Sequence, residues 1–242
     1  MAGPGGGRGV GEILGRVCAE SALLAAWEKV RDSAYADGDP GAGVAAFERG
    51  ALRGLTALVD ELGRGTWRPG SVTAVEIPKP DGGLRRLGIS SVKDRIVERA
   101  VLVELDRVVD PVLSPWCVAY RRGMGVRDAV RALVAARDAG QLFVAPADVA
   151  DCFDSIPRWP VLQRLRELVG DPELVGVVEL LVNRSYAGRG AWLGPSWAVA
   201  GLGAYAPNAL GNVPDGRPPC RCRRGRAGRW GRVLGWGCGG GW

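Results

Sequence analysis

The run Asp148-Val149-Ala150-Asp151-Cys152-Phe153-Asp154 places three carboxylates within seven residues, directly after the apolar segment Leu142-Phe143-Val144-Ala145. An aspartate delivered by a strand end, with Val149 and Phe153 turned into a core, suits two-metal phosphoryl transfer, which bridges Mg2+ ions about 4 Å apart. Mg2+ takes hard oxygen ligands, so a chain without histidine loses nothing here. Taken by itself the heptad is a weak signal, because an acidic turn after a strand more often caps a helix or faces solvent. A second candidate pair, Lys79 and Arg85, brackets the turn Pro80-Asp81-Gly82-Gly83. A hairpin tip charged in this way can close over a polyphosphate, the guanidinium gripping two oxygens and the ammonium acting as a point charge. An exposed hairpin with solubilising charges is the competing reading of that segment.

Composition narrows the chemistry further. The 242 residues include no histidine, which excludes Ser-His-Asp and Cys-His nucleophile systems and histidine metal ligands. Acid–base or metal chemistry must come from Asp and Glu. The net charge of +6 is a property of the tail: residues 216–242 hold seven arginines and no acid, leaving 25 basic against 26 acidic residues in 1–215. The cysteines (Cys18, Cys117, Cys152, Cys220, Cys222, Cys238) lack the paired spacing of a zinc ribbon. The N-terminus has no continuous apolar segment of the secretory type. Residues 190–214 carry no charge, but Pro195, Pro207 and several glycines argue against a membrane span. The expected compartment is the cytosol.

The elements that must position these groups read as follows. Residues 1–11 are Gly-rich and expected to be disordered. Ile13, Leu14, Val17, Leu23, Leu24 and Trp27 recur at helical spacing and predict one helix, closed by Asp37-Gly38-Asp39-Pro40. A second is predicted from Phe47 through Leu62 and ended by Gly63 and Gly65. The β-branched run Val72–Ile77 and the segment Leu84–Ile89 predict a hairpin. Helices are predicted from Ser91 to Asp110-Pro111, over 126–139, over 158–169 and over 172–183. Leu142–Ala145 is predicted as a strand leading into Asp148. The expected class is α+β with a mainly antiparallel sheet.

Two segments together carry a family resemblance. Ile77-Pro78-Lys79-Pro80-Asp81-Gly82-Gly83-Leu84-Arg85-Arg86-Leu87-Gly88-Ile89, followed by Ser91-Val92-Lys93-Asp94-Arg95-Ile96-Val97, resembles the fingers motif of group II intron-type bacterial reverse transcriptases. Ala119-Tyr120-Arg121-Arg122-Gly123-Met124-Gly125 is similar to that family's next block and to its CRISPR-associated branch. Asp148 to Pro157 resembles the palm motif, and Trp67-Arg68-Pro69 fits the lead-in. The blocks stand in family order over roughly residues 45–185. The resemblance implies right-hand polymerase fingers and a partial palm, α+β, and RNA-directed DNA polymerase activity. It implies that Asp148 is catalytic and binds Mg2+ together with the Val149 carbonyl. It further implies that Phe153 lies beneath the incoming sugar as a steric gate and that Lys79 and Arg85 hold the triphosphate. Arg95 and Arg121 would be template or backbone contacts. The implied partners are an RNA template, a DNA primer and deoxynucleotides, with intron RNA or CRISPR adaptation proteins as the wider setting and no membrane.

The pattern also breaks. The family's Tyr-x-Asp-Asp carboxylates have no match, for the chain holds no Asp-Asp, and its only adjacent acid pair is Asp60-Glu61, upstream of the fingers. Gly201-Leu202 and Ala209-Leu210-Gly211-Asn212 fit the ends of the preceding block, but its middle is replaced. Residues 216–242 are nearly all Arg, Gly, Pro, Cys and Trp, residues with G+C-rich codons. The chain therefore reads as C-terminally truncated or frameshifted. The expected layout is a disordered 1–11, a helical region 12–66, fingers and partial palm 67–185, and a degraded, poorly packed remnant 186–242. The two-metal site is expected to be incomplete. The alternatives to a polymerase are a non-catalytic RNA-binding remnant and a non-functional gene fragment.

Overall fold

The structure, a computed structural model, describes residues 11–36, 38–78, 82–147 and 157–187. The expectation for the tail beyond residue 187 lies outside them. The elements are α1 (Glu12–Val17), α2 (Glu20–Ala36), α3 (Gly41–Glu48), α4 (Ala51–Gly63), β1 (Val72–Pro78), β2 (Leu84–Ile89), α5 (Val92–Val109), α6 (Val126–Asp138), α7 (Arg158–Val169), α8 (Pro172–Val182) and β3 (Tyr186–Ala187), with a short 3-10 turn at Asp110–Val112.

Helix α5 is the central element, and its sequence explains why. The Ser91 side chain accepts the Asp94 N–H at 3.2 Å and so caps the helix, with Asp94 in the first turn. Ile96, Val97, Ala100, Val101, Leu105 and Val109 form its buried face. They pack into a core with Leu23, Trp27 and Val30 of α2, Leu55, Leu58 and Leu62 of α4, Leu162 and Leu165 of α7, and Leu174, Val178 and Leu181 of α8. This one core runs continuously from the first described helix to the last.

The first predicted helix is two. Leu23 lies six positions after Val17, and at 100° per residue a straight helix would turn it about 120° away from Val17. Both are fully buried, so the chain breaks at Cys18-Ala19 and restarts. The second predicted helix also divides, at Arg49-Gly50. There Gly50 leaves the helical region with φ −131°, and glycine is the cheapest residue at which to stop. The division lets Gly54 of α4 face Phe47 of α3, where a Cβ would stand 2.7 Å from the ring. That ring packs on Trp27 with centroids 4.8 Å apart.

Asp171 joins the two ends of the described chain. Its carboxylate accepts the Leu174 N–H at 3.0 Å, capping α8, and the Ile13 and Leu14 N–H groups at 2.8 and 2.9 Å, capping α1. Gly11 stands against that carboxylate, where a Cβ would clash. Burial works to raise the Asp171 pKa, and the backbone donors outweigh it, holding the carboxyl below its ordinary value.

The sheet has the order β2-β1-β3. β1 and β2 form the predicted hairpin, antiparallel in register from Thr73↔Ile89 to Pro78↔Leu84, while β3 adds parallel to the start of β1. The predicted strand at Leu142–Ala145 does not form: residues 141–147 have no regular structure, and Leu142, Phe143 and Val144 are 72–75% exposed. A strand exists only where a neighbour satisfies its N–H and C=O groups, and none of the described strands pairs with this run. A strand end therefore does not lead up to residue 148.

Removing the shared cap tests this arrangement. Asp171→Ala is expected to cost about 2–3 kcal/mol in urea unfolding, a typical cap loss applied at two helix ends. Because the folded-state pKa is depressed, that contribution is present above the unfolded carboxyl's pKa and is lost as pH falls through the folded value. The gap between wild type and variant should narrow in acid.

Candidate functional site

The hairpin is tethered to the body at its foot. Val72 is fully buried and its N–H donates to the Ser185 carbonyl at 2.9 Å, whereas Val75, Ile77, Leu84, Leu87 and Ile89 are all exposed. The strands thus leave the core after one residue. Arg85 stands on β2 opposite Ile77, and Arg86 opposite Glu76. Lys79, at the other side of the turn, lies outside the described residues, as do Asp148, Val149 and Phe153.

A buried ionic cluster lies under the foot of the hairpin. Arg184, between α8 and β3, has a side chain only 1% exposed. Its Nη2 lies 2.6 Å from Glu98 Oε1, its Nη1 donates to Ser90 Oγ at 3.1 Å and stands 4.0 Å from Asp94 Oδ2, and its Nε donates to the Leu181 carbonyl at 2.9 Å. Ser90 Oγ donates to Glu98 at 3.0 Å, and the Gly70 N–H donates to Asp94 at 3.1 Å. Gly70 and Ser90 flank the hairpin on either side, so one guanidinium ties both legs to α5 and to the end of α8. Burial raises the pKa of Asp94 and of Glu98, and the Arg184 charge opposes that rise in both.

Sequence reasoning missed this cluster. The available signal was Asp94 and Glu98, four residues apart on the face of α5 that also carries Ile96, Val97 and Val101 (acids on a buried face require a cation). Which cation answers them, some 86 residues later, is decided by the fold.

Two further arginines were expected as template contacts. Arg121 is instead a loop clamp: it makes a two-toothed pair with Asp110 at 2.7 and 3.0 Å and donates to the Ser114 and Cys117 carbonyls. The Arg121 hydrogen bond holds the Asp110 carboxyl below its ordinary pKa. Arg95 is half-buried on α5 and lines an open cavity beside the foot of the hairpin. Helix α6 follows the loop, with Val126, Val130, Leu133 and Val134 exposed along it. Among the described residues, no three His, Cys, Asp or Glu side chains come together to hold a metal. No helix among them is long and apolar enough to cross a membrane.

A projecting antiparallel hairpin stands on a helical platform, locked at its foot to the long helix that follows it, and makes a mixed helix-and-sheet fold. The fold is similar to a chain of the partial Cas6-RT-Cas1–Cas2 complex, at TM-score 0.51 and 19% identity, covering 82% of this chain and 33% of that one. In sequence the chain is similar to the COX1/OXI3 intron 1 protein of Saccharomyces cerevisiae, 28% identical over 132 residues, which are 54% of this chain and 16% of that protein. It is also similar to protein YkfC of Escherichia coli, 26% identical over 163 residues, 66% of this chain and 42% of that protein, and to a 91 kDa protein in the cob intron of Schizosaccharomyces pombe, 26% identical over 110 residues, 46% and 14%. No family model matches. The chain spans less than half the length of these curated relatives. The resemblance to intron-encoded proteins therefore holds in sequence, and the fold is shared with a chain of a complex that contains an RT.

The buried cluster makes a sharp prediction. Arg184→Met should destabilise the protein by about 3–5 kcal/mol in urea unfolding, because it leaves two buried carboxylates without their cation. Their folded pKa values then rise further. A raised folded pKa means stability that is kept below the unfolded carboxyl's pKa and lost as pH rises through the folded value. The deficit should therefore shrink on acidification, as the two carboxylates are protonated.

Proposed function

We propose that this chain forms the fingers and the leading part of the palm of an RNA-directed DNA polymerase, which joins deoxynucleotides on an RNA template. The observation that carries the reading is the β1–β2 hairpin, its turn bracketed by Lys79 and Arg85 and its foot locked to the Ser91-capped α5. The intron-encoded relatives support it.

In this reading Lys79 and Arg85 hold the triphosphate, and the locked foot keeps their turn from swinging as phosphate charge arrives. Phe153 lies beneath the sugar and excludes a 2′-OH. Magnesium supplies charge neutralisation at the phosphates when bound, with Asp148 and the Val149 carbonyl as its donors. One matched carboxylate falls short of what two ions require, and the sequence holds no Asp-Asp pair to add to it. The partners are an RNA template, a DNA primer and deoxynucleotides, with intron RNA favoured as the template source and CRISPR adaptation proteins as the alternative setting. The competing reading, an RNA-binding protein without synthesis, draws on the missing Asp-Asp pair.

Primer extension on an RNA template with Mg2+ and deoxynucleotides separates the two. The 242-residue chain alone should give no extension. A version continued through a segment carrying Tyr-x-Asp-Asp should extend. In that version Asp148→Ala should lower the rate at least about 1000-fold, roughly 4 kcal/mol of barrier, and Phe153→Ala should admit ribonucleotides. A continued chain that binds template and metal yet stays inactive would overturn the polymerase reading and leave the RNA-binding one.

A further inference from the structure

Two open cavities lie along the seam between α2 and α5 and share Lys29 and Arg99. One, about 430 Å3, starts at the foot of the hairpin at Gly88 and Ser90 and holds Arg95. The other, about 540 Å3, continues past Arg16 and Arg107 to Arg122. The seam thus gathers six cations from a chain whose first 215 residues are close to neutral.

Two of the three acids lining it are already committed. Glu98 is turned to Arg184. Glu104 is buried and holds Arg16 at 2.7 Å and Arg107 at 2.8 Å. Asp106 is opposed by Arg122 and Arg99, whose charges offset the rise that burial gives its pKa. Among the described residues no carboxylate stands within ion-pair distance of Lys29 or Arg95. The seam therefore keeps a positive excess after its internal pairs are made.

Shape selects the ligand. Ala19 at the break before α2, Ala22, Ala25 and Ala26 of α2, and Ala100 of α5 give a low floor between basic walls. Arg95 and Arg99 stand one helical turn apart, with Arg107 two turns on, so charges recur along the groove at about 5–6 Å and its multiples. Among the described residues, no aromatic side chain lines either cavity. Proteins that hold single strands stack bases on aromatics, whereas a floor without them can grip only the backbone.

We propose that this seam is a second nucleic-acid site, separate from the hairpin turn, that binds the phosphate backbone of an RNA helix. The choice of RNA over DNA rests on the polymerase reading above; the choice of a backbone groove rests on the seam alone.

The test is fluorescence anisotropy of the full 242-residue chain with a labelled 20-base-pair RNA hairpin over a series of salt concentrations. Lys29→Gln/Arg95→Gln should make the slope of log K against log salt shallower by about 2 and weaken binding at least about tenfold near 0.1 M salt. Arg131→Gln/Arg137→Gln, on exposed α6, should leave the slope unchanged. Lys29→Arg/Arg95→Lys should restore it, which separates lost charge from lost folding. An unchanged slope in the glutamine pair, or an equal loss in the α6 pair, overturns the site. An equal loss of affinity for single-stranded poly(A) overturns the helix assignment. An equal loss for the same duplex made of DNA overturns the choice of RNA. Binding is read and not extension, so an inactive polymerase does not alter the outcome.

Discussion

A guanidinium withdrawn from water must find carboxylates, and in this protein Arg184 finds them on the helix that follows the hairpin. The desolvation penalty for three charged groups is several kcal/mol each, repaid only in good geometry and with the remaining donors satisfied. Ser90, Gly70 and the Leu181 carbonyl supply part of that satisfaction, while Arg184 Nη2 meets Glu98 as an ion pair without an aligned hydrogen bond. The consequence is positional. Gly70 and Ser90 are the two points where the hairpin enters and leaves the body, so the cluster sets the direction in which β1 and β2 project. It also joins the end of α8 to the start of β1, next to the two-residue parallel pairing with β3.

What projects from that foot is unusually bare. The hairpin carries Val75, Ile77, Leu84 and Leu87 into solvent, and α6 and the 142–144 run do the same with their own apolar residues. A hairpin without a covering layer is marginal in isolation. Here its stability is concentrated at the anchored end.

Electrostatics are divided between two places as well. The turn brings Lys79 and Arg85 together in sequence, and the α2–α5 seam gathers cations from separate helices and a loop. Glu98 belongs to both regions, since it lines the seam and pairs with Arg184 under the hairpin. By taking up the Glu98 charge, the buried cluster leaves Lys29 and Arg95 facing solvent without a local counter-charge. The same ion pair that orients the hairpin therefore preserves the basic character of the groove beside it.

The local elements were legible in the residues themselves. Helix α5 follows from the Ser91 cap, the apolar spacing and the Asp110-Pro111 stop, and the hairpin from its β-branched run and Gly-rich turn, because these signals act within a few residues. The resemblance to intron-type reverse transcriptases was likewise carried by short contiguous blocks. Tertiary structure decided what depends on distant partners. It split the first helix so that Val17 and Leu23 could share one core, and it turned Arg121 from a template contact into a clamp on Asp110. It left Leu142–Ala145 without a ladder and brought Arg184 to Asp94 and Glu98. Propensity and capping are properties of neighbouring residues, whereas a strand's pairing and a buried charge's partner are properties of whatever the fold places beside them.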